Sequence, residues 1–222
     1  MVTEHAWLAN ISNGLDDTLK KSGIGSGLLP NQFGLIGFAK DHPDHVTGRS
    51  IPMPIHGELM GTANEFNEAH KLLALNGRLE DMYLAMNLAL DTYPLRPGLA
   101  CQLIGVTDEG RTRLNPPSGG SPYTYNYILN KMRAKGCILN VVVNEQMVSM
   151  DTNPPTPALG VSSNNDSAIE ADDGNFRIVR GHGEGIKLTG HGTTHDAYVK
   201  MAMALGGAAW DLNILVKEAT QR

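Results

Sequence analysis

The sequence has little of what marks nucleic-acid-binding or membrane-spanning proteins. Its 222 residues hold 18 Lys and Arg against 23 Asp and Glu, a formal net charge of −5, and no run of basic residues. We therefore expect no nucleic-acid partner, because no cluster of cations could bind a phosphate backbone. No apolar stretch approaches the roughly 20 residues that cross a bilayer, and the N-terminus lacks the pattern of a signal peptide. We expect neither membrane insertion nor a targeting segment in this sequence.

The motifs of common catalytic sites are also missing. The chain has no Gly-x-Ser-x-Gly elbow, no Walker-type glycine loop and no Gly-x-Gly-x-x-Gly between a strand and a helix. We therefore predict that the protein is not an enzyme.

Histidines in a glycine-rich segment leave two alternatives open. His182, His191 and His195 could bind zinc together with a nearby carboxylate. Alternatively, Asp108 with His191 or His195 could carry out metal-assisted hydrolysis. We favour surface loop histidines, because the only four-residue spacing, from His191 to His195, runs through Gly192 rather than along a helix.

The two cysteines are too few for a disulfide scaffold. Cys101 and Cys137 begin two apolar runs that we predict to be neighbouring buried strands. We favour buried free thiols, with a disulfide between them as the alternative.

Short apolar runs alternate with helical patterns along the chain. The predicted strands are Phe33–Ala39, Cys101–Thr107, Cys137–Val143 and Ala208–Leu212, and the predicted helices include residues 8–19, 62–73, 79–90, 125–132 and 194–205, with a last helix at the C-terminus. Buried strands joined by helices form parallel sheets that are covered on both faces. The predicted fold class is therefore α/β, with a doubly wound, mostly parallel sheet in a single domain over residues 1–222. Residues from about 144 to 192 form a long, loop-rich insertion, in which only Phe176–Val179 looks like a strand.

The ends of the predicted strands are the place to look for a binding site. In doubly wound sheets, ligands bind beyond the carboxyl ends of the strands. Asp108 directly follows the strand Cys101–Thr107, and its carboxylate is a natural ligand for Mg²⁺ or Ca²⁺. The alternative is that Asp108 only caps a turn at the strand end.

Several segments resemble one known family in the same order. Gln102–Gly110 resembles the fourth strand of von Willebrand factor type A domains, which ends in a similar Thr-Asp-Gly. Asn31–Phe38 resembles the second strand of that family, and Leu205–Leu212 resembles its sixth strand. The insertion, through Ala158–Val161 and Ala171–Phe176, is similar to that of a branch found in secreted and surface proteins. The resemblance implies a Rossmann-like extracellular protein-binding or adhesion module with a protein or matrix ligand.

The resemblance also implies a metal-ion-dependent adhesion site, which is incomplete in this chain. The family's first strand, with its Asp-x-Ser-x-Ser ligands, has no counterpart, and Leu79 stands where the family has a threonine ligand. Asp108 remains, and Glu80 or Asp81 are conceivable substitutes, so we predict a site of Asp108 and Glu80 that binds Mg²⁺ or Ca²⁺ weakly or not at all.

The missing first strand leads to an expectation about the sequence as a whole. In the family, this strand lies beside the fourth strand in the middle of the sheet. We expect either that the sequence is a fragment of a longer secreted protein, or that another segment or another chain takes that position. A purely structural matrix domain without a metal is the remaining alternative.

Overall fold

The computed structural model describes residues 8–40, 49–73, 81–111, 123–171, 174–187 and 194–221. Its helices are α1 (Leu8–Lys21), α2 (Ala63–His70), α3 (Met82–Thr92), α4 (Tyr125–Lys135), α5 (Lys200–Ala204) and α6 (Leu212–Gln221), and a π-helical turn, His195–Val199, runs directly into α5. Its strands are β1 (Leu35–Lys40), β2 (Arg49–Met53), β3 (Cys101–Thr107), β4 (Cys137–Val143), β5 (Gln146–Ser149), β6 (Thr156–Ala158), β7 (Gly160–Ser162), β8 (Ser167–Glu170), β9 (Phe176–Val179), β10 (Gly183–Ile186) and β11 (Ala208–Asp211).

The strands form three sheets. The largest has six strands in the order β3-β4-β11-β7-β8-β9, in which β3, β4 and β11 are parallel and the following neighbours are antiparallel. A second, antiparallel sheet has the order β10-β5-β6, and β1 and β2 form an antiparallel pair of their own. The predicted α/β class is therefore confirmed, with a mixed sheet at its centre.

The apolar runs predicted the three parallel strands correctly. The strands β3 and β4 have the predicted bounds, and β11 ends at Asp211 instead of Leu212. The predicted start of α2 is also confirmed, because the Thr62 hydroxyl accepts the Glu65 amide while the Glu65 carboxylate accepts the amide of Thr62. This reciprocal cap satisfies amides that the first helical turn leaves without intrahelical partners.

The segment predicted to be a loop-rich insertion contains six short strands, β5 to β10. That prediction was wrong except for β9, which lies where the sequence indicated a strand. These strands have three or four residues each, with Pro, Ser and Gly among them, so they lack a long apolar run. These strands are stabilised by antiparallel pairing with one another and with β11. A local sequence pattern does not reveal such pairing.

Helices cover both faces of the parallel strands. Successive side chains of a strand point to opposite faces, so Leu139 and Val141 of β4 lie in the main core, whereas Val142 lies in a smaller core under α6 with Leu212. The main core is closed by α3, α4 and the segment 195–204, with Met82, Ile128, Met132 and Met201 among its fully buried members. None of the helices in the described ranges is both long and apolar enough to cross a membrane.

The strand β3 lies at one edge of the six-stranded sheet. It pairs along its whole length with β4, and within the described ranges no strand pairs with its other edge. Its Ile104 side chain is 51% exposed, although the strand carries no charged residue. An uncharged edge strand offers unpaired backbone groups to a further strand.

The two cysteines form a disulfide, which corrects the expectation of free thiols. Cys101 and Cys137 are directly paired at the starts of β3 and β4, with their Cα atoms 4.6 Å apart. The sequence placed both at the starts of buried strands, but it did not show that these strands are adjacent and in register. The disulfide therefore fixes the edge strand β3 to β4 at its amino end.

We expect loss of this disulfide to destabilise the protein. A bridge across 36 residues of sequence separation restricts the unfolded chain, which corresponds to about 3–4 kcal/mol in the chain-entropy model. Urea unfolding of Cys101→Ala/Cys137→Ala should show this loss against the native protein. Adding a reductant should destabilise the native protein but not the double variant. Two free thiols in the denatured, unreduced protein would show that the disulfide is absent.

Asp211 caps the last helix at the end of β11. Its carboxylate accepts the amides of Asn213 and Ile214 at 2.9 and 3.4 Å, while the residue itself is only 5% exposed. Burial raises the pKa of Asp211, and the hydrogen bonds to Asn213 and Ile214 lower it by less. The folded protein therefore holds a proton on Asp211 at a higher pH than the unfolded chain does.

This difference predicts how stability depends on pH. Because the folded-state pKa is raised, the folded state binds more protons just above the unfolded pKa of about 3.8, and the contribution of Asp211 to stability falls as pH rises through that window. Asp211→Asn keeps a capping side chain but does not titrate. We expect its free energy of unfolding, relative to the native protein, to increase between pH ~3.5 and pH ~6.5. A constant difference across this range, in urea titrations at each pH, would contradict the raised pKa.

Candidate functional site

The carboxyl ends of the three parallel strands lie on one line. Thr107 at the end of β3 pairs with Val143 at the end of β4, and Val143 pairs with Asp211 at the end of β11. The residues that follow, Asp108 and Asn144, therefore leave the sheet at the same edge as the Asp211 carboxylate. We call this region the carboxyl edge. It is the place where doubly wound sheets bind ligands.

Asp108 carries the most unusual group of the carboxyl edge. Its Oδ1 atom is buried, and no hydrogen bond reaches it within the described part of the chain. The turn that follows β3 is instead held by Thr107, whose hydroxyl accepts the amide of Glu109 and donates to the Glu109 carbonyl, each at 3.2 Å. Asp108 is therefore not needed as a turn cap, which was the alternative role that the sequence left open.

A buried carboxylate oxygen without a donor is energetically costly. Leaving such an acceptor unsatisfied costs about 1–3 kcal/mol, and more when the group is charged. Buried polar groups in folded proteins nearly always have a partner, so the exceptions call for an explanation. A donor or cation that comes from outside the chain would satisfy Asp108 Oδ1.

Amide side chains extend the carboxyl edge beside β4 and β11. The Asn213 side chain donates to Asn144 Oδ1 at 2.9 Å, which joins the residue after β4 to the start of α6. Asp211 holds the same helix start through the amides of Asn213 and Ile214. These side chains hold one another, so they stabilise the edge and leave Asp108 as its unsatisfied acceptor among the residues described.

The carboxylate of Asp81, a conceivable metal ligand from the sequence, already has partners within the chain. Its carboxylate accepts the Tyr83 amide at 2.9 Å, which caps α3, and it forms an ion pair with Arg111 at 3.1 Å. Both side chains are largely buried, at 6% and 12% exposure. The Arg111 guanidinium also lies 4.1 Å from the centre of the Tyr83 ring and donates to the Tyr123 carbonyl at 2.6 Å. Arg111 thus supplies the positive charge that Asp81 needs.

The structure describes one of the two residues predicted for the metal site. Asp108 lies at the carboxyl edge as expected, whereas Glu80 lies outside the described residues, as does Leu79. In the described ranges, no group of three His, Cys, Asp or Glu side chains is placed to hold a metal ion. At the carboxyl edge, the described residues therefore offer a cation the buried, unpartnered Oδ1 of Asp108 and not a complete ligand set.

The histidines are not gathered into one site in the part of the chain that the structure describes. His182 is exposed and lies 3.8 Å from Asp151, while His191 falls outside the described residues. His195 is paired through Nδ1 with the buried carboxylate of Glu145. Among the described groups, no hydrogen bond or ion pair joins His195 to Asp108, so the pair that we considered for metal-assisted hydrolysis is not formed directly.

Several of these residues follow a pattern that is visible in the sequence but were absent from the predicted site. The rule on strand ends that indicated Asp108 also indicates Asn144 and Glu145, which follow β4. Asp211 is the last residue of β11, so this rule does not indicate it. No sequence signal indicated Arg111, because its pairing with Asp81 joins two segments that only the fold brings together.

Comparisons with known proteins do not assign the chain to a family. No family model matches it, and no curated protein matches it. Among solved structures, it has a weak likeness to one described as an uncharacterized membrane spanning protein from Vibrio fischeri. The two share 10% sequence identity over 96% of this chain and 83% of that chain, with a TM-score of 0.25. A likeness at this level supports no statement about fold or function.

Proposed function

We propose that this chain is a protein-binding module of the von Willebrand factor type A kind, which meets a protein or matrix ligand at the carboxyl edge. The observation that carries the proposal is the buried Asp108 Oδ1 atom, which has no donor within the described chain. A binding partner that brings a cation or a hydrogen-bond donor to this atom would remove the cost of leaving it unsatisfied. Ligand binding is therefore the role that explains why the residue is an aspartate.

Features of the fold support this proposal. Parallel strands with helices on both faces end at the carboxyl edge. The edge of β3 is unpaired within the described ranges, which is where the first strand lies in the family that the sequence resembles. The Cys101–Cys137 disulfide favours an extracellular location, because the cytosol keeps most protein thiols reduced.

In our proposal, Asp108 Oδ1 coordinates a divalent cation, and the ligand coordinates the same cation. Mg²⁺ and Ca²⁺ prefer oxygen ligands, and a single protein carboxylate holds them weakly. Water and an acidic group of the ligand would then complete the coordination. Asp81 does not contribute, because Arg111 and the start of α3 already hold it. We therefore propose an incomplete, low-affinity cation site that works together with the ligand.

Calorimetric titration with Mg²⁺, Ca²⁺, Mn²⁺ and Zn²⁺ tests this proposal. We expect weak binding of Mg²⁺, Ca²⁺ and Mn²⁺, with dissociation constants on the order of 1 mM or weaker. Asp108→Asn should abolish this binding. Glu109→Gln is the matched control, because it removes the same charge from the adjacent exposed residue and should leave cation binding unchanged.

The same pair of variants separates a binding residue from a structural one. Asp108→Asn removes the charge of a carboxylate whose buried Oδ1 atom has no hydrogen-bond partner, so we expect the free energy of unfolding to stay the same or to increase by about 1 kcal/mol. A loss of cation binding together with unchanged or higher stability would support the proposal. Absence of saturable binding of any divalent ion would contradict the cation site. Tight zinc binding that His195→Gln abolishes would favour the hydrolase alternative instead.

A further inference from the structure

A second site lies away from Asp108, in a cleft of about 260 Å³ beside β10. One wall is formed by β10, a second by Ser162 and Asn165 at the β7–β8 turn, and a third by the helical segment that begins at His195. None of these wall residues belongs to the carboxyl edge that the proposed function uses. The cleft therefore needs an explanation of its own.

A buried carboxylate orients the histidine of this cleft. Glu145 is 2% exposed and pairs with Nδ1 of His195, whose side chain is 21% exposed and lines the cleft. Because Nδ1 is taken, the second ring nitrogen, Nε2, is the one left to meet a ligand. Nε2 has no hydrogen-bond partner among the described residues. A histidine that is held in this way keeps a fixed orientation, and its imidazolium form presents Nε2–H to the cleft as a donor.

Gly185 makes room for this arrangement in β10. A Cβ atom at this position would lie 3.2 Å from Glu145 Oε1 and 3.5 Å from Cγ1 of Val199. The absence of a side chain therefore lets the carboxylate sit beneath the strand. Asp196, the neighbour of His195, is held by Lys187 at 2.8 Å and by Lys200 at 2.6 Å, so it does not compete for the imidazole.

The cleft that His195 lines is also lined by other hydrogen-bond donors. The Ser162 hydroxyl oxygen already accepts the amides of Asn164 and Asp166, at 3.3 and 3.2 Å, so its proton is left to donate. Lys200 uses one ammonium proton on Asp196 and keeps others. Ser162, His195 and Lys200 thus give the cleft three donor side chains, two of which can carry a positive charge.

The remaining lining limits the size and charge of a ligand. Val161, Val199 and Met203 give the cleft an apolar part of its lining, and the exposed residue Glu184 also lines it. A short apolar group would pack against the first three residues. The Glu184 carboxylate disfavours a doubly charged anion such as phosphate, because like charges repel.

We propose that this cleft binds a carboxylate group that carries a short, branched apolar tail, with His195 Nε2, Ser162 Oγ and Lys200 Nζ as donors to the carboxylate. This is a second binding activity, separate from the carboxyl edge. Such a carboxylate could belong to a free organic acid or to the C-terminal residue of a peptide. Both sources offer the same chemistry to the cleft.

NMR titration of the full chain, labelled with ¹⁵N-histidine, tests this proposal. Isovalerate is the probe, and its uncharged amide, isovaleramide, is the matched control. We expect saturable shifts of the His195 ring signals, with an affinity for isovalerate roughly 10–100-fold higher than for isovaleramide, since charge-assisted hydrogen bonds contribute about 1.5–3 kcal/mol. N-acetylglycyl-leucine tests the peptide source. If this peptide binds more tightly than isovalerate, the carboxylate belongs to the C-terminal residue of a peptide.

Two variants with the same change locate the site. His195→Gln should abolish the binding of isovalerate, whereas His182→Gln, in the neighbouring part of the groove, should leave it unchanged. Equal affinity for isovalerate and isovaleramide, equal binding of inorganic phosphate, or absence of shifts at His195 in the native protein would overturn the proposal. The titration of the native protein decides this even if His195→Gln fails to fold. None of these outcomes depends on Asp108.

Discussion

The in-register pairing of β3, β4 and β11 is the constraint on which the rest of the structure depends. Backbone hydrogen bonds between parallel strands align Thr107, Val143 and Asp211, so the chain leaves all three strands at one edge. The disulfide between Cys101 and Cys137 fixes the same register at the opposite end of β3 and β4. A shift by one residue would move Leu139 and Val141 out of the main core and would separate Asp108 from the polar groups after β4.

Two buried tyrosines, Tyr83 and Tyr198, connect α3 to the helical segment that carries His195. The Tyr198 hydroxyl accepts the amide of Met82 at the start of α3, and the Tyr83 hydroxyl donates to the Ala197 carbonyl. The two rings meet edge to face, with centres 5.9 Å apart, and burial raises the pKa of Tyr198 well above its usual range. Both hydroxyls therefore act as structural groups that join these two segments. They hold α3, with its Asp81–Arg111 pair, against the segment in which His195 reaches Glu145.

The sequence predicted those parts of the fold that local patterns determine. Uncharged apolar runs predicted β3 and β4, and the spacing from Thr62 to Glu65 predicted the capped start of α2, because each depends on residues that are close in the chain. The strands β5 to β8 and β10 were missed, since they depend on pairing between short polar segments. For the candidate site, the position of Asp108 followed from the rule on strand ends. The pairing of Asp81 with Arg111 and of His195 with Glu145 did not follow from any such rule, because each pair joins segments that are distant in sequence.

In our proposal, the Asp108 Oδ1 atom binds a group from outside the chain. The most direct measurement is a crystal structure of the protein soaked in Mn²⁺, whose anomalous scattering locates the ion. We expect an anomalous peak at coordination distance, about 2.0–2.6 Å, from Asp108 Oδ1, with water completing the shell. A structure in which a donor of the chain itself reaches Asp108 Oδ1, with no anomalous peak at the carboxyl edge, would contradict the proposal.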